Sequence, residues 1–190
     1  MRYWFSADYH LGHKNIIKYC NRPFKSLEHM NETIIRNHNA RVKPDDVLIH
    51  VGDFCFNNTS SERGEGIRIS TQEWESKLNG KIIHIKGNHD KNNGTKTIIQ
   101  GMLIQFMRHY VWCVHKPQHY NKKYDINFVG HIHNNWEFKL KDDYIFDKDN
   151  KIMILESDLI NVGVDVNRFM PVSFEELIKK LNRYKKVSKK

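Results

Sequence analysis

The sequence predicts an α/β domain whose strands deliver polar side chains to a common rim, and three observations point there. Apolar runs of strand length recur along the chain; several stop at glycine; each is followed at once by carboxylate, imidazole or amide groups. The clearest is Ile82-Ile83-His84-Ile85-Lys86-Gly87-Asn88-His89-Asp90. Branched apolar residues favour pleated, buried backbone, so 82–86 reads as an inner strand. Gly87 permits a sharp exit, and Asn88, His89 and Asp90 fall on the loop at the strand's carboxyl end, where α/β sheets bind ligands. A core has no use for three polar side chains in a row.

Taken in order, residues 2–7 form a short aromatic-rich strand, followed directly by Asp8-Tyr9-His10. Residues 11–25 read as a loop. Ser26 caps a helix carrying Glu28 in its first turn, with Leu27, Met30 and Ile34 at helical spacing and Lys43-Pro44 closing the segment. Residues 47–51 are a second buried strand, stopped by Gly52-Asp53. Residues 57–70 lack periodicity and read as a surface loop. Thr71 is expected to cap a short helix with Trp74 and Leu78 one turn apart. Residues 91–105 suit either a helix or a strand pair. Residues 110–114 are a strand delivering His115, and 126–129 another delivering Gly130-His131-Ile132-His133. Two turns, at Asp142-Asp143 and at 147–150, suggest a hairpin. Residues 152–155 and 159–166 look like two more strands. Ser173 and Glu176 form a capping box that opens an amphipathic helix through Leu177, Ile178, Leu181 and Tyr184.

The bulk properties are those of a soluble enzyme-sized domain. The 190 residues suggest one domain over 1–190, with a basic tail from about residue 179. Composition is ordinary, 39% apolar and 28% charged, which excludes a disordered or fibrous chain. Cys20, Cys55 and Cys113 form neither a CxxC pair nor an even set, so reduced thiols and a cytoplasmic setting are expected, without a Cys-ligated zinc. No apolar run approaches the ~18 residues a membrane span needs, and the N-terminal apolar stretch is too short for a signal peptide. The formal charge of +9 makes nucleic acid a candidate partner, although a solvated basic tail explains much of it. Twelve histidines direct attention to metal.

The runs at 2–7, 47–51, 82–86, 110–114 and 126–129 end respectively at Asp8/His10, Asp53, Asn88/His89, His115 and His131/His133. Glycine stands at three of these exits (Gly52, Gly87, Gly130). Side chains two apart on extended chain share a face, so Asp8 with His10, and His131 with His133, are expected to project together. One such strand end arises readily by chance; five do not. Carboxylate, imidazole and amide oxygen without thiolate suit manganese, with iron, zinc, nickel or magnesium as alternatives. The candidates are too many for one tetrahedral ion and suit two ions sharing a bridge. Two ions roughly 3.5–4 Å apart lower a water's pKa towards about 7 and stabilise both oxygens of an in-line displacement.

Asp8-Tyr9-His10, Gly52-Asp53, Gly87-Asn88-His89-Asp90, His115 and Gly130-His131-Ile132-His133 resemble, in order and spacing, the five blocks of the calcineurin-like metallophosphoesterases. Residues 161–165 and 171–173 also resemble the end of small bacterial and phage members. The resemblance implies an α/β fold built as a two-layer β-sandwich flanked by helices (αββα), with a dinuclear site at one edge. It implies that one metal takes Asp8, His10, Asp53 and His133, and the other Asp53, Asn88, His115 and His131, with Asp53 as bridge. His89 is then the group facing the leaving group, with Asp90 orienting its ring. A metal-bridging hydroxide is expected to attack phosphorus directly in a phosphodiester or small phosphomonoester, nucleotide-like substrates included. A nuclease, or a non-catalytic module using the metal edge as a binding surface, are the alternatives. Where many relatives carry Gly-Asp-x-x-Asp, Phe56 takes the last position, and Asp90 stands where protein phosphatases have Glu. Both departures argue against a phosphoprotein phosphatase. Val114 stands before His115, where a small or hydroxyl residue is frequent.

Several other residues receive plainer readings. Asp165 is expected to be structural. His50 and His84, inside strands, are expected to be packed and hydrogen-bonded; His29, His38, His109 and His119 are expected at the surface. His13, Lys14 and Arg22 follow the first block on a loop that could overhang the cleft and meet substrate phosphate. Trp136 and Phe138 are assigned to core packing.

Overall fold

The computed structural model describes residues 1–56, 69–90 and 97–188. Most of the loop expected at 57–70, and the start of the ambiguous 91–105 segment, lie outside the described residues.

Two sheets face each other. The first has the order β11-β1-β2-β3, where β1 is Tyr3–Ser6, β2 Val47–Val51, β3 Lys81–Ile85 and β11 Val172–Ser173. β1, β2 and β3 run parallel, and β11 joins antiparallel to β1. The second sheet has the order β4-β5-β6-β10-β7, with β4 at Gly101–Phe106, β5 at His109–Val114, β6 at Ile126–Val129, β7 at Phe138–Lys139 and β10 at Asp158–Asn161. β5, β6 and β10 are mutually parallel. Alternation along each strand separates the layers. Phe5, Ile49, Val51 and Ile85 from the first sheet meet Val111, Cys113, Phe128 and Ile160 from the second. Phe5 and Phe128 pack edge to face at 4.8 Å between ring centres.

The opposite face of the first sheet, with Trp4 and Leu48, is covered by α2 (Leu27–Arg41) and α3 (Thr71–Glu75) through Met30, Ile34 and Trp74. β2 is therefore covered on both faces, which explains its unbroken apolar run. The outer face of the second sheet carries a two-stranded hairpin, β8 (Tyr144–Phe146) with β9 (Ile152–Ile154), joined by the turn foreseen at 147–150. Helices thus flank one sheet and a hairpin the other. The C-terminal helix α4 (Phe174–Ser188) sends Phe174, Leu177 and Leu181 into the inter-sheet core. The short α1 spans Ile16–Tyr19.

Most boundaries fall where the sequence puts them. Ser26 Oγ accepts from the His29 amide, and Ser173 and Glu176 form the reciprocal capping box. The cap of α3 is Ser70 rather than Thr71: Ser70 is extended, and its Oγ accepts from the Glu73 amide. The later part of 91–105 resolves as β4. Its Gly101 is required by packing, since a Cβ there would lie 2.4 Å from the Trp112 ring. The strand read over 159–166 stops at Asn161, where the chain turns and continues as a bridge from Gly163 to Ala7. Among the described residues no helix is long and apolar enough to cross a membrane. Because Phe128 is fully buried between the sheets, Phe128→Ala should remove about 3–5 kcal/mol of stability, read as a lower denaturant midpoint at unchanged m-value.

Candidate metal centre

Parallel pairing carries the carboxyl ends of β1, β2 and β3 to one edge, and those of β5, β6 and β10 to the same edge of the facing sheet. All seven residues expected as metal ligands gather there. Among the described residues three groups have ligand atoms within 4.8 Å of one another: Asp8, His10 and His133; Asp53, His115 and His131; and Cys20, His133 and Asp165, of which the first two are made wholly of expected ligands. Asp53 lies between them, its Oδ2 3.6 Å from His10 Nε2 and 3.2 Å from His115 Nε2. Asn88 Oδ1 is 3.0 Å from His115 Nε2, which places Asn88 in the second group. His131 and His133 join different groups, as the ligand sets implied by the resemblance have it, and not one face as the two-residue spacing on extended chain would give.

The reason is local. Asp8, His10, Asp53, His131 and His133 all have positive φ, between 47° and 74°. Left-handed backbone is uncommon for residues with a Cβ and costs of order 1–2 kcal/mol at each. Five of the seven residues expected as ligands adopt it, so these side chains are presented from tight turns and not from extended chain. Strain gathered in this way marks functional sites. Glycine permits the close approaches. A Cβ on Gly87 would sit 2.1 Å from Asp53 Oδ1, and one on Gly52, itself at φ +89°, 2.4 Å from His115 Nδ1.

Supporting bonds fix each ligand. The His89 amide donates to Asp53 Oδ1, leaving Oδ2 for the centre. Asp90 accepts from the amides of Asp53, Phe54 and Gly87, so it holds both turns together, a task its sequence position did not disclose. His115 Nδ1 bonds the Val51 carbonyl, directing Nε2 inward. Asp8 accepts from the His131 amide. Asn161 donates to the carbonyls of His133 and Trp136, pinning that loop. His133 Nδ1 is 3.0 Å from Asp165, which is in turn held by both Nε and Nη2 of Arg22. Asp165 thus orients a ligand.

Four expectations, for Arg22, His13, His38 and His50, are corrected here. Arg22 does not overhang the cleft: it is buried, paired with Asp165, and donates to the carbonyls of Tyr9 and Asp8. An interior guanidinium with these partners cannot reach substrate. His13 is also buried, stacked on Phe56 at 4.2 Å, with its Nδ1 3.1 Å from His10 Nδ1. Neutral His13 can accept the Nδ1 proton of His10 and so leave Nε2 as ligand; its sequence signal is the three-residue spacing from His10. Lys14 stays exposed. His38 is not at the surface; burial there is matched by bonds to the Tyr9 hydroxyl and the Asn79 carbonyl. His84 bonds Glu75 as expected, whereas His50 is packed against Tyr9 and Phe54 without a hydrogen-bond partner among the described residues.

The electrostatics fit a metal-binding site. His10 Nε2 is buried, faces Asp53 and has no hydrogen-bond partner among the described residues, a costly state for a polar atom unless a ligand meets it. Burial pushes the Asp8 carboxyl up to about 6 against the pull of His115 and His133. Burial would raise Asp53 too, but the hydrogen bond and charge of His115, then His10, hold it well below the usual carboxylate range. Burial works against a charged His115 and a charged His133, yet Asp53 lifts the first to about 9 and Asp165 the second to about 10. Burial takes His131 and His13 down to about 4. Carboxylates and imidazoles so arranged hold protons in place of cations.

No family model matches the chain. It is 33% identical over 182 residues to the uncharacterized protein MJ1445 of Methanocaldococcus jannaschii, covering 95% of this chain and 92% of that protein. The solved structure of AQ665, a protein of unknown function from Aquifex aeolicus, superposes with a TM-score of 0.64 at 22% identity, over 94% of this chain and 98% of the other. The phosphoesterase YfcE of E. coli superposes with a TM-score of 0.42 at 15% identity, over 85% and 78% of the two chains.

A sign for pH dependence follows. His115 and His133, raised to about 9 and about 10, are protonated at pH 7 without metal. A cation must displace those protons, so manganese affinity should rise from pH 6 to pH 9, by up to about tenfold per pH unit for each proton released. Calorimetry in buffers of different ionisation enthalpy should record at least one proton released per protein; an affinity flat across that range would contradict the ligand assignment.

Proposed function

We propose, from this chain's membership of one family with the archaeal protein MJ1445 and from the resemblance of its gathered ligand blocks to those of the calcineurin-like metallophosphoesterases, that it is a phosphoric ester hydrolase working with two divalent metal ions, manganese first among them. The observation that carries this reading is the pair of ligand groups meeting at Asp53 Oδ2. Asp8, His10, Asp53 and His133 would hold one ion, and Asp53, Asn88, His115 and His131 the other. Such a pair supplies an acidified water and positive charge for the oxygens of an in-line displacement.

The chain's own residues do the rest. Asp53 and Asn88 set the separation of the two groups, and Asp165 and His13 hold the His133 and His10 rings in register. The His89 ring lies 5.2 Å from that of His10 and is half-buried; in this reading it is the group beside the departing oxygen. The attacking water would lose one proton to solvent as its oxygen bonds to phosphorus; as the ester P–O bond breaks, a ring nitrogen of His89 would give its proton to the departing oxygen and then recover one from solvent. No covalent enzyme intermediate is required. Phe56, and Tyr19 at 71% exposure, flank His13 at the mouth. They offer an aromatic surface to a base or aryl group, which favours a small phosphodiester or nucleotide-like phosphomonoester as substrate.

Hydrolysis of bis-p-nitrophenyl phosphate should appear with manganese and disappear with chelator, and Asp53→Asn should abolish it. No turnover on any diester or monoester would leave the metal edge as a binding surface only. His89→Ala should lower kcat by about 10²–10⁴ while the number of manganese ions bound stays at two; loss of metal instead would make His89 a ligand.

A further inference from the structure

The charge of this protein is not spread over it. Seven cations and no acid fall within residues 179–190, so this stretch supplies seven of the nine net positive charges. Not all of them are available. Lys180 Nζ is engaged by Glu137 and Asn167, and Lys185 by Asp158. Lys179, Arg183 and Lys186 differ: they are exposed, have no ion-pair partner among the described residues, and recur at helical spacing along one side of α4. Across from them the β4–β5 turn brings exposed Arg108. Between turn and helix lies a cleft of about 720 Å³ with these four cations on its walls, apolar Phe174 and Ile178 at its base, and Glu175 as the one acid among its described lining residues.

The cleft stands far from the metal centre. It opens beside His109, the first residue of β5, whereas the last residue of that strand hands on to His115. Six residues of extended chain put about 20 Å between them.

We propose that this cleft is a second binding site, for the backbone of single-stranded nucleic acid, separate from the phosphoesterase centre. A concave groove with cations on two walls and apolar surface between suits a strand that can lay phosphates on the walls and bases inward. Its volume is that of a small-ligand site, too small to seat a duplex, and its concavity is the wrong shape for a bilayer. The strand held there is anchored at one end of the molecule while the catalytic edge stays open.

The site and the phosphoesterase reading are tested by different signals. Fluorescence anisotropy with a labelled 20-mer of single-stranded DNA, in the presence of chelator, reads the cleft; hydrolysis of bis-p-nitrophenyl phosphate with manganese reads the metal centre. The variant R108Q/K179Q/R183Q/K186Q should bind the oligonucleotide about tenfold or more weakly at low salt, with the slope of log K against log salt reduced by about 2–3. Its aryl diester turnover and melting temperature should equal those of the parent. A control with four exposed lysines removed elsewhere (K25Q/K43Q/K148Q/K151Q) should bind like the parent. Equal loss in the control, unchanged binding in the cleft variant, or binding to phosphatidylserine vesicles with none to the oligonucleotide would each overturn the proposal.

Discussion

The arrangement depends on a single carboxylate kept ionised in the interior. Asp53 is about 1% exposed, and burial alone would drive it to take a proton. It stays charged because His115 and His10 approach one oxygen while the His89 amide fills the other. Its own amide is tied to Asp90, which also holds Gly87. The second and third sequence blocks are therefore one unit: the bond network that fixes Asp53 is made largely by the residues that follow β3. Removing any member leaves a buried charge or an empty amide, so the whole rim is sensitive to each.

Such a rim can exist because two sheets bring parallel strands to the same edge. Five ligand residues adopt left-handed backbone there, a conformation that a free loop would relax. The strain persists because each turn begins at the end of a buried strand and is closed by a second contact. Examples are the Ala7–Gly163 bridge, the Leu11–Cys55 bridge and the Asn161 bonds to the last histidine loop. Backbone amides thus hold the ligand turns as firmly as the sheets hold their strands, and the imidazoles arrive in place with little freedom to lose on binding.

Much of this was legible in the chain because strands and ligands leave local marks. Val47–Val51 and Ile126–Val129 are apolar runs, each ending one residue before the glycine that permits the turn, and three of the seven expected ligand positions (Asp53, His131 and His133) follow from where those two runs stop. The caps at Ser26 and Ser173 were visible for the same reason. What escaped was long-range. Arg22 and Asp165 pair across 143 residues, and nothing near either one announces the other; a loop arginine after a ligand block therefore read as a substrate contact. His38 continues the buried face of α2 one turn after Ile34, but its polarity read as surface because the partners that satisfy it there, Tyr9 and Asn79, are distant in sequence. Positive φ at ligands bearing a Cβ has no sequence signature, so the extended geometry assumed for Asp8 with His10 was the natural error. Residues 159–166 failed for a related reason: apolar content continued past Asn161, but the Asn161 side chain bonds the Gly163 amide and turns the chain.

The two ends of the molecule also answer why so basic a protein can keep a finely balanced set of ligands. Cations near a buried cluster would oppose the binding of further cations to it. Lys179, Arg183 and Lys186 sit on α4, and Lys186, in its last turn, also meets the favourable end of that helix's dipole. They lie about 20 Å from the ligands by strand length. That distance exceeds the screening length of about 8 Å at physiological salt, so surface charge on α4 exerts little force on Asp53 or its partners. Parallel topology enforces this division. It brings the carboxyl ends of β1, β2, β3, β5 and β6 to the candidate centre and leaves their amino ends to other contacts. An antiparallel sheet would alternate the two kinds of end along each edge and could not keep them apart.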